Sequence, residues 1–314
     1  MNDRPVLVTG ASGFVGSNLV HVFRDRHGAD VVAPGHEHVD LTDAALVTRA
    51  VAASRPDAIV HAAIWNAPAA LERDRARAWA GYVGATRNVT DAANAAGIPV
   101  VLVSTDWVFD GTQAPAAEGE PPNPVNAYGF LKAASELVVT ERAGHGIVAR
   151  IAAVQGVHRA RASAPRAQDA GFGYFVAALV DTLRAGARFT VWDGDGLNAL
   201  ATPTLATDAG ELIWRALELG VTGTLHCCGG EHADRLGLAH RAVAAFGLDA
   251  DRLDVGPPPA GALPRGRVPR DTRLDATATA ARLGVELPDL DTQLARLRAE
   301  LDASPAAPME TITT

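Results

Sequence analysis

Val6-Leu7-Val8-Thr9-Gly10-Ala11-Ser12-Gly13-Phe14-Val15-Gly16 decides how this chain begins to fold. A short β-forming run enters three glycines spaced three apart, and a helical pattern starts at Phe14. Gly10 permits a tight turn, Gly13 lets a diphosphate approach the backbone, and Gly16 lets the following helix pack close to the strand. Free N–H groups at Ser12, Gly13, Phe14 and Val15, with the positive end of the helix dipole, then favour an anion. Spaced glycines alone make many loops. Between this strand and this helix they read as a dinucleotide-binding turn.

Outward from that turn, β-like runs at 6–9, 30–33, 58–61, 100–104 and 146–151 alternate with helical stretches at 14–26, 44–54, 71–96 and 126–142. Apolar strands without in/out alternation, each followed by a helix, predict a parallel sheet covered on both faces. The fold class expected is α/β: a doubly wound parallel sheet (Rossmann) with a smaller C-terminal substrate lobe. Residues 1–152 are expected to form the dinucleotide-binding domain. Residues 153–303 are expected to form mainly the substrate lobe, interleaved with the sheet, and 304–314 a loose tail. In the second half, helices are expected near 172–185, 205–219 and 234–246, with strands near 189–192 and 224–227. Pro257-Pro258-Pro259 reads as a rigid connector.

Composition narrows the functional classes. The chain has 314 residues, a net charge of −8, 48% hydrophobic and 20% charged residues. The acidic balance argues against a general affinity for nucleic acid. No apolar run approaches the ~20 residues of a membrane span, and the N-terminus lacks the long apolar stretch of a secretory signal, so a cytoplasmic, membrane-free protein is expected. Cys227 and Cys228 are adjacent, which suits buried small residues better than a disulfide or a zinc site. The ten histidines show no ligand spacing, and no metal is assigned.

Tyr128-Gly129-Phe130-Leu131-Lys132 places a phenol and an ammonium four residues apart, on one face of a helix. A nearby cation favours phenolate, so Lys132 is expected to lower the Tyr128 pKa and make it a general acid tuned toward neutrality. Upstream, Val103-Ser104-Thr105-Asp106 closes a sheet strand, and Thr105 is the hydroxyl expected to hold a substrate carbonyl against the phenol. Asp40-Leu41 is a candidate adenine contact, although Asp40 also suits a turn or helix cap. The second strand ends Ala33-Pro34-Gly35-His36 with no acid before Glu37, which leans toward NADP(H) over NAD(H).

These features together resemble the extended short-chain dehydrogenase/reductase family, and within it the dTDP-4-dehydrorhamnose reductase group. The likeness rests on Ser104-Thr105-Asp106-Trp107-Val108-Phe109-Asp110-Gly111, on Pro124-Val125-Asn126-Ala127-Tyr128-Gly129 leading to Lys132, on Pro56-Asp57-Ala58-Ile59-Val60-His61-Ala62-Ala63, and on Pro269-Arg270-Asp271-Thr272-Arg273-Leu274-Asp275. The resemblance implies catalytic roles for Thr105, Tyr128 and Lys132. It implies cofactor contacts for Gly10, Ser12, Gly13, Phe14, Val15, Gly16, Asp40, Leu41, Ala62, Ala63, Ser104, Tyr128 and Lys132, with Lys132 holding the nicotinamide ribose. It also implies a small-molecule substrate, plausibly a nucleotide-activated 4-keto-6-deoxy sugar, and a homodimer formed through sheet-flanking helices.

The chain departs from the group where substrate is expected. Ile64-Trp65-Asn66-Ala67-Pro68 replaces a Thr-Ala-Val-Asp-like stretch, Ile151-Ala152-Ala153 replaces Thr-Ser-Trp, and the run from Asp193 to Thr204 is longer than usual. Tyr82 stands where an Asn is common. Trp65, Trp107 and Trp192 could stack on a flat ring or simply form core. Arg159, Arg161 and Arg166, in a loop expected over 158–170, could clamp a diphosphate, with a solvated loop the plainer reading. Two alternatives remain open: a nucleotide-sugar epimerase or dehydratase, disfavoured because Asp106 is followed by Trp107 rather than Glu, and a non-catalytic dinucleotide-binding regulatory subunit.

Overall fold

Val6–Thr9 forms β1, next to one edge of a six-stranded parallel sheet. The computed structural model describes residues 5–65, 67, 70–161 and 168–303. β2 (Val31–Val32) lies on one side of β1; β3 (Ala58–His61), β4 (Val100–Thr105), β5 (Gly146–Ile151) and, from far along the chain, β10 (Gly223–His226) lie on the other. Alternate residues of one strand feed different cores. Val6, Val8, Val101 and Val103 pack with Phe23 and Ile213, whereas Leu7, Val100 and Leu102 pack with Val51 and Val89 on the opposite face. Burial on both faces removes the need for polar alternation, which is why these strands read as continuous apolar runs.

The helices covering the first face are α1 (Phe14–His21), extended by a π turn over Val22–Arg26, and α7 (Ala206–Leu219). The other face carries α2 (Ala44–Ser54), α4 (Ala85–Ala96) and α5 (Ala127–Arg142). Asp43 caps α2 by accepting from Ala45 and Leu46 N–H, and Asn126 caps α5 by accepting from Gly129 N–H at 2.9 Å. The helix expected over 71–96 instead starts with α3 (Arg75–Trp79) behind an Asp74 cap, and a π turn at Ala80–Gly84 joins it to α4. The strand expected over 30–33 shrinks to two residues, and that over 100–104 gains Thr105.

Beyond β5, three two-stranded sheets support a second core. β6 (Val154–Gln155) pairs with β9 (Thr204–Leu205), β7 (Phe189–Trp192) with β12 (Leu253–Gly256), and β8 (Leu200–Ala201) with β11 (Ala233–Asp234). Phe175, Leu179, Phe189, Leu205, Leu238 and Leu294 fill that core under α6 (Phe175–Arg184), α8 (Arg235–Phe246) and α10 (Leu290–Ala303). A short α9 (Thr277–Leu283) leans on α7. Cys227 and Cys228 are free, buried thiols just past β10.

Candidate active site

Sheet growth reverses about β1, whose two neighbours are β2 and β3, so a crevice opens at the carboxyl ends of β1 and β3. Gly10 sits there with φ +75°, and a Cβ on it would lie 2.6 Å from Ala63 N and 2.8 Å from the Ala62 carbonyl carbon. A Cβ on Gly16 would strike the Gly10 carbonyl. Gly13 forms the entry to α1 with no side-chain cap, which leaves the first helical N–H groups for a ligand. The cradle therefore fits a dinucleotide diphosphate on the geometry of its glycines. The side chains beside it differ in their surroundings. Ser12 is exposed at the turn, Val15 packs toward the sheet core, and the Phe14 ring meets Tyr174 edge-on at 4.5 Å.

Beyond β2, Leu41 helps line a small apolar cleft with Pro34, Val39 and Val47. Asp40 faces its own turn, accepting from Thr42 N–H at 2.9 Å and from the Thr42 hydroxyl at 2.8 Å. The turn role of Asp40 is thus present in the structure, and those bonds hold its carboxyl below the usual range.

The chemical groups meet where α5 crosses the end of β4. Tyr128 and Lys132 occupy successive turns of α5, and Thr105 ends β4. Trp107 and Tyr82 meet the Tyr128 ring edge-on, at centroid distances of 6.2 and 6.3 Å. Tyr82 lies in the π turn at 80–84, buried with Leu71, Val83 and Leu131. No Cβ fits at Gly129, because it would enter the Trp107 carbonyl, so the start of α5 rests directly on the turn after β4.

The expected acidification of Tyr128 by Lys132 is not what this geometry produces. Burial pushes the phenol up to about 12, with the negative carboxylate of Asp106 adding to the rise, while a hydrogen bond with Thr105 offsets part of it. Lys132 is aimed elsewhere: Nζ donates to the Val103 carbonyl at 2.6 Å, and burial brings its ammonium down to about 8 despite Glu136 one turn along. Spacing on a helix fixes proximity; desolvation by β4 and the aromatic walls fixes the sign.

Thr105 Oγ1 donates to Asp106 Oδ1 at 3.0 Å and accepts from Trp107 N–H at 3.2 Å. Asp106 is buried, and desolvation raises its carboxyl to about 6 against hydrogen bonds from Thr272, Thr105 and the backbone. Ser104 points away from this group. Its hydroxyl donates to Glu136 Oε1 at 2.5 Å, inside a buried cluster where Arg150 pairs with Glu136 at 2.8 Å and stacks on Phe109. That leaves only the Ser104 backbone for a cofactor contact. His61, at the end of β3, lies with Nδ1 2.7 Å from Thr9 Oγ1; burial, then the charge of Lys132, brings it down to about 3 and keeps it neutral.

Other sequence candidates sort clearly. Trp65 packs over Gly81 and under the Arg77 guanidinium at 5.0 Å, and Trp192 ends β7, half-buried. Arg159 is committed to Asn18 at 3.1 Å and Glu300 at 3.1 Å rather than held free for a diphosphate, and Arg161 is exposed. Arg166 and the tail 304–314 lie outside the described residues. Among the described residues no helix is long and apolar enough to cross a membrane.

The model of the RmlD substrate binding domain matches residues 4–303. The chain belongs to that family. A dTDP-4-dehydrorhamnose reductase of Burkholderia thailandensis is 33% identical over 90% of this chain and 94% of its own length. A Streptomyces griseus protein of the same name is 41% identical over 136 residues, 43% of this chain and 44% of that one. Methionine adenosyltransferase 2 subunit beta of Bos taurus is 28% identical over 88% and 81%. Among solved structures, a Bacillus anthracis dTDP-4-dehydrorhamnose reductase in complex with NADP superimposes with a TM-score of 0.79 at 21% identity, covering 96% of this chain and 99% of that one, which establishes the shared fold.

Within this RmlD-type frame, four buried groups around the site escaped the sequence reading: His61, Glu136, Arg150 and the carboxyl of Asp106. Only Asp106 carried a local signal, an acid set directly after the strand-end hydroxyl. The others are joined by contacts spanning up to 76 residues of sequence, which no local pattern announces.

Proposed function

We propose that this chain is an NAD(P)H-dependent reductase that converts a keto group of a nucleotide-activated 4-keto-6-deoxy sugar, or of a related ketone, to an alcohol. One observation carries the reading: Tyr128, Thr105 and Lys132 meet at the end of β4, two strands from the glycine cradle at the sheet's reversal point. Relatives that bear the names of such reductases support it. Gly10, Gly13 and Gly16 would hold the diphosphate, Ala62 and Ala63 would flank it, and Lys132 would reach the ribose. When bound, the nicotinamide supplies hydride to the carbonyl carbon.

The protein's own contribution is the proton and the positioning. A phenol held at about 12 keeps its proton at neutral pH, and it remains a stronger acid than the alcohol being formed. It can therefore protonate an alkoxide without first being acidified, which suits reduction better than oxidation. Thr105 stands beside it to orient the same oxygen. The ammonium of Lys132, fixed by the Val103 carbonyl, stabilises negative charge developing nearby.

The test is oxidation of NADPH and NADH in the presence of nucleotide-activated keto sugars. Turnover that falls by roughly 10²–10⁴ in kcat in Tyr128→Phe, with dinucleotide binding kept, is the expected result. Absence of turnover with every ketone would remove the reading. A second reading, a dinucleotide-binding regulatory subunit, is favoured by the similarity to methionine adenosyltransferase 2 subunit beta. It takes precedence if the protein binds dinucleotide and a partner enzyme, and Tyr128→Phe changes neither.

Residues 1–152 serve in this proposal as the dinucleotide half and 153–303 as the main source of substrate contacts, in a cytoplasmic protein. Exposed Trp79 on α3, with Phe130 and Leu137 two turns apart on α5, would supply the apolar surface for the homodimer of this proposal.

A further inference from the structure

We propose that Asp106 is a positioning residue for this reaction: its buried carboxyl decides, through the Thr105 hydroxyl, whether Thr105 and Tyr128 can both direct protons at the substrate oxygen. The inference rests on the reductase reading and adds to it a residue and a proton count.

A hydroxyl carries one proton and two acceptor sites. In the structure Thr105 gives its proton to Asp106 Oδ1 at 3.0 Å, and one of its acceptor sites takes the Trp107 N–H at 3.2 Å. That leaves one acceptor site on Thr105 for a further donor, and Tyr128, whose phenol feels the Thr105 hydroxyl, is the donor group beside it. With Asp106 ionised, Thr105 has no proton for a substrate, and it draws the phenol proton toward itself. A protonated Asp106 reverses the polarity. The carboxylic O–H donates to Thr105 Oγ1, both acceptor sites are filled by Asp106 and Trp107, and the Thr105 proton is released. Tyr128 can then no longer donate to Thr105, so both protons are available to the ketone oxygen.

The surroundings shift the carboxyl toward its neutral form, which prevails below about 6. Asp106 is only 4% exposed. Burial is the leading influence on it, four hydrogen bonds oppose that influence, and no cation is among them. Among the described residues no basic nitrogen forms an ion pair with it. The titratable groups facing it are Tyr128 from α5 and the buried thiol of Cys228 beyond β10, both neutral when protonated and both pushed upward by its charge. A carboxylate there has hydrogen bonds but no cation to compensate its burial, so they offset only part of the cost.

Two measurements test the proposal. In the first, kcat/KM for a reducible ketone is followed against pH. The wild type should fall about ten-fold to a lower plateau as pH rises through about 6. Asp106→Asn, whose amide N–H can stand in for the carboxylic O–H, should lose that step. Asp106→Ala should lower kcat about ten-fold at low pH with little change in KM, because only the orientation of Thr105 is lost. An identical step in Asp106→Asn, or an Asp106→Ala variant affected only in stability, overturns the assignment. The second measurement needs no turnover: pH-difference infrared spectra of the protein itself. A protonated-carboxyl band that titrates near 6, vanishes in Asp106→Asn and moves upward in Thr105→Val is expected. A band unmoved by Thr105→Val, or one titrating as an ordinary carboxylate, overturns it. A protein that reduces no ketone yet shows the expected infrared shifts refutes the reductase reading and leaves the coupling of Asp106 to Thr105 standing.

Discussion

Tyr128 and Lys132 both shift toward their neutral forms, because burial disfavours charge of either sign. The working state pairs a protonated phenol with an ammonium, so activity should fall as pH rises through about 8, where Lys132 loses its proton. Lys132→Met should remove this limb and lower kcat, read from a pH–rate profile in which the step near 6 is separate. His61 links the same region to stability. Its folded pKa of about 3 lies below the value of about 6.5 in an unfolded chain, so the unfolded state binds the proton first on acidification. The stability it supports is complete above about 6.5 and is lost as pH falls toward 3. Urea midpoints compared at neutral and mildly acid pH should drop further for the wild type than for His61→Asn; equal drops would assign the acid sensitivity to other groups.

At the level of elements, two ion pairs on neighbouring helices and strands make a contrast. Glu136 on α5 and Arg150 on β5 are both nearly sealed from water, at 5% and 3% side-chain exposure, and the guanidinium also lies over Phe109. Arg150→Met strands a carboxylate in that interior and should cost about 3–5 kcal/mol in denaturant unfolding. Arg142, at the end of the same helix, pairs with Asp91 at 2.7 Å with both partners about half exposed, and Arg142→Ala should cost about 1 kcal/mol or less. The β1–α1 turn has its own test. A methyl at Gly16 enters the Gly10 carbonyl and separates helix from turn, so Gly16→Ala should weaken dinucleotide binding about ten-fold or more by titration.

Over the whole molecule, β10 returns from the second half of the chain to pair with β5, and the chain then goes back to complete the smaller core with α8 and α10. The turn after β4 also faces both parts, since Trp107 lies against the start of α5 and within 3.2 Å of where a Gly171 Cβ would stand. If the outer face of α5 joins two copies, Phe130→Glu combined with Leu137→Glu should reduce the sedimenting mass to that of one chain while leaving the Tyr128 surroundings intact. An unchanged mass would place any dimer contact elsewhere.

The sequence by itself determined the glycine turn, the first five strands with their order of strand and helix, and the helix that carries Tyr128 and Lys132. Each of these is written in local spacing: Val6–Thr9, Ala58–His61, Gly146–Ile151 and Ala44–Ser54 form at the predicted residues. Two-residue strands such as Val154–Gln155, and the short helix Thr277–Leu283, carry too little periodicity to be read that way. Only the tertiary structure decided the direction of the Tyr128 shift, the turning of Ser104 toward Glu136 and the seclusion of Asp106. Burial and hydrogen-bond polarity depend on what distant segments lay against a side chain, and those neighbours exist only once the chain has closed around them.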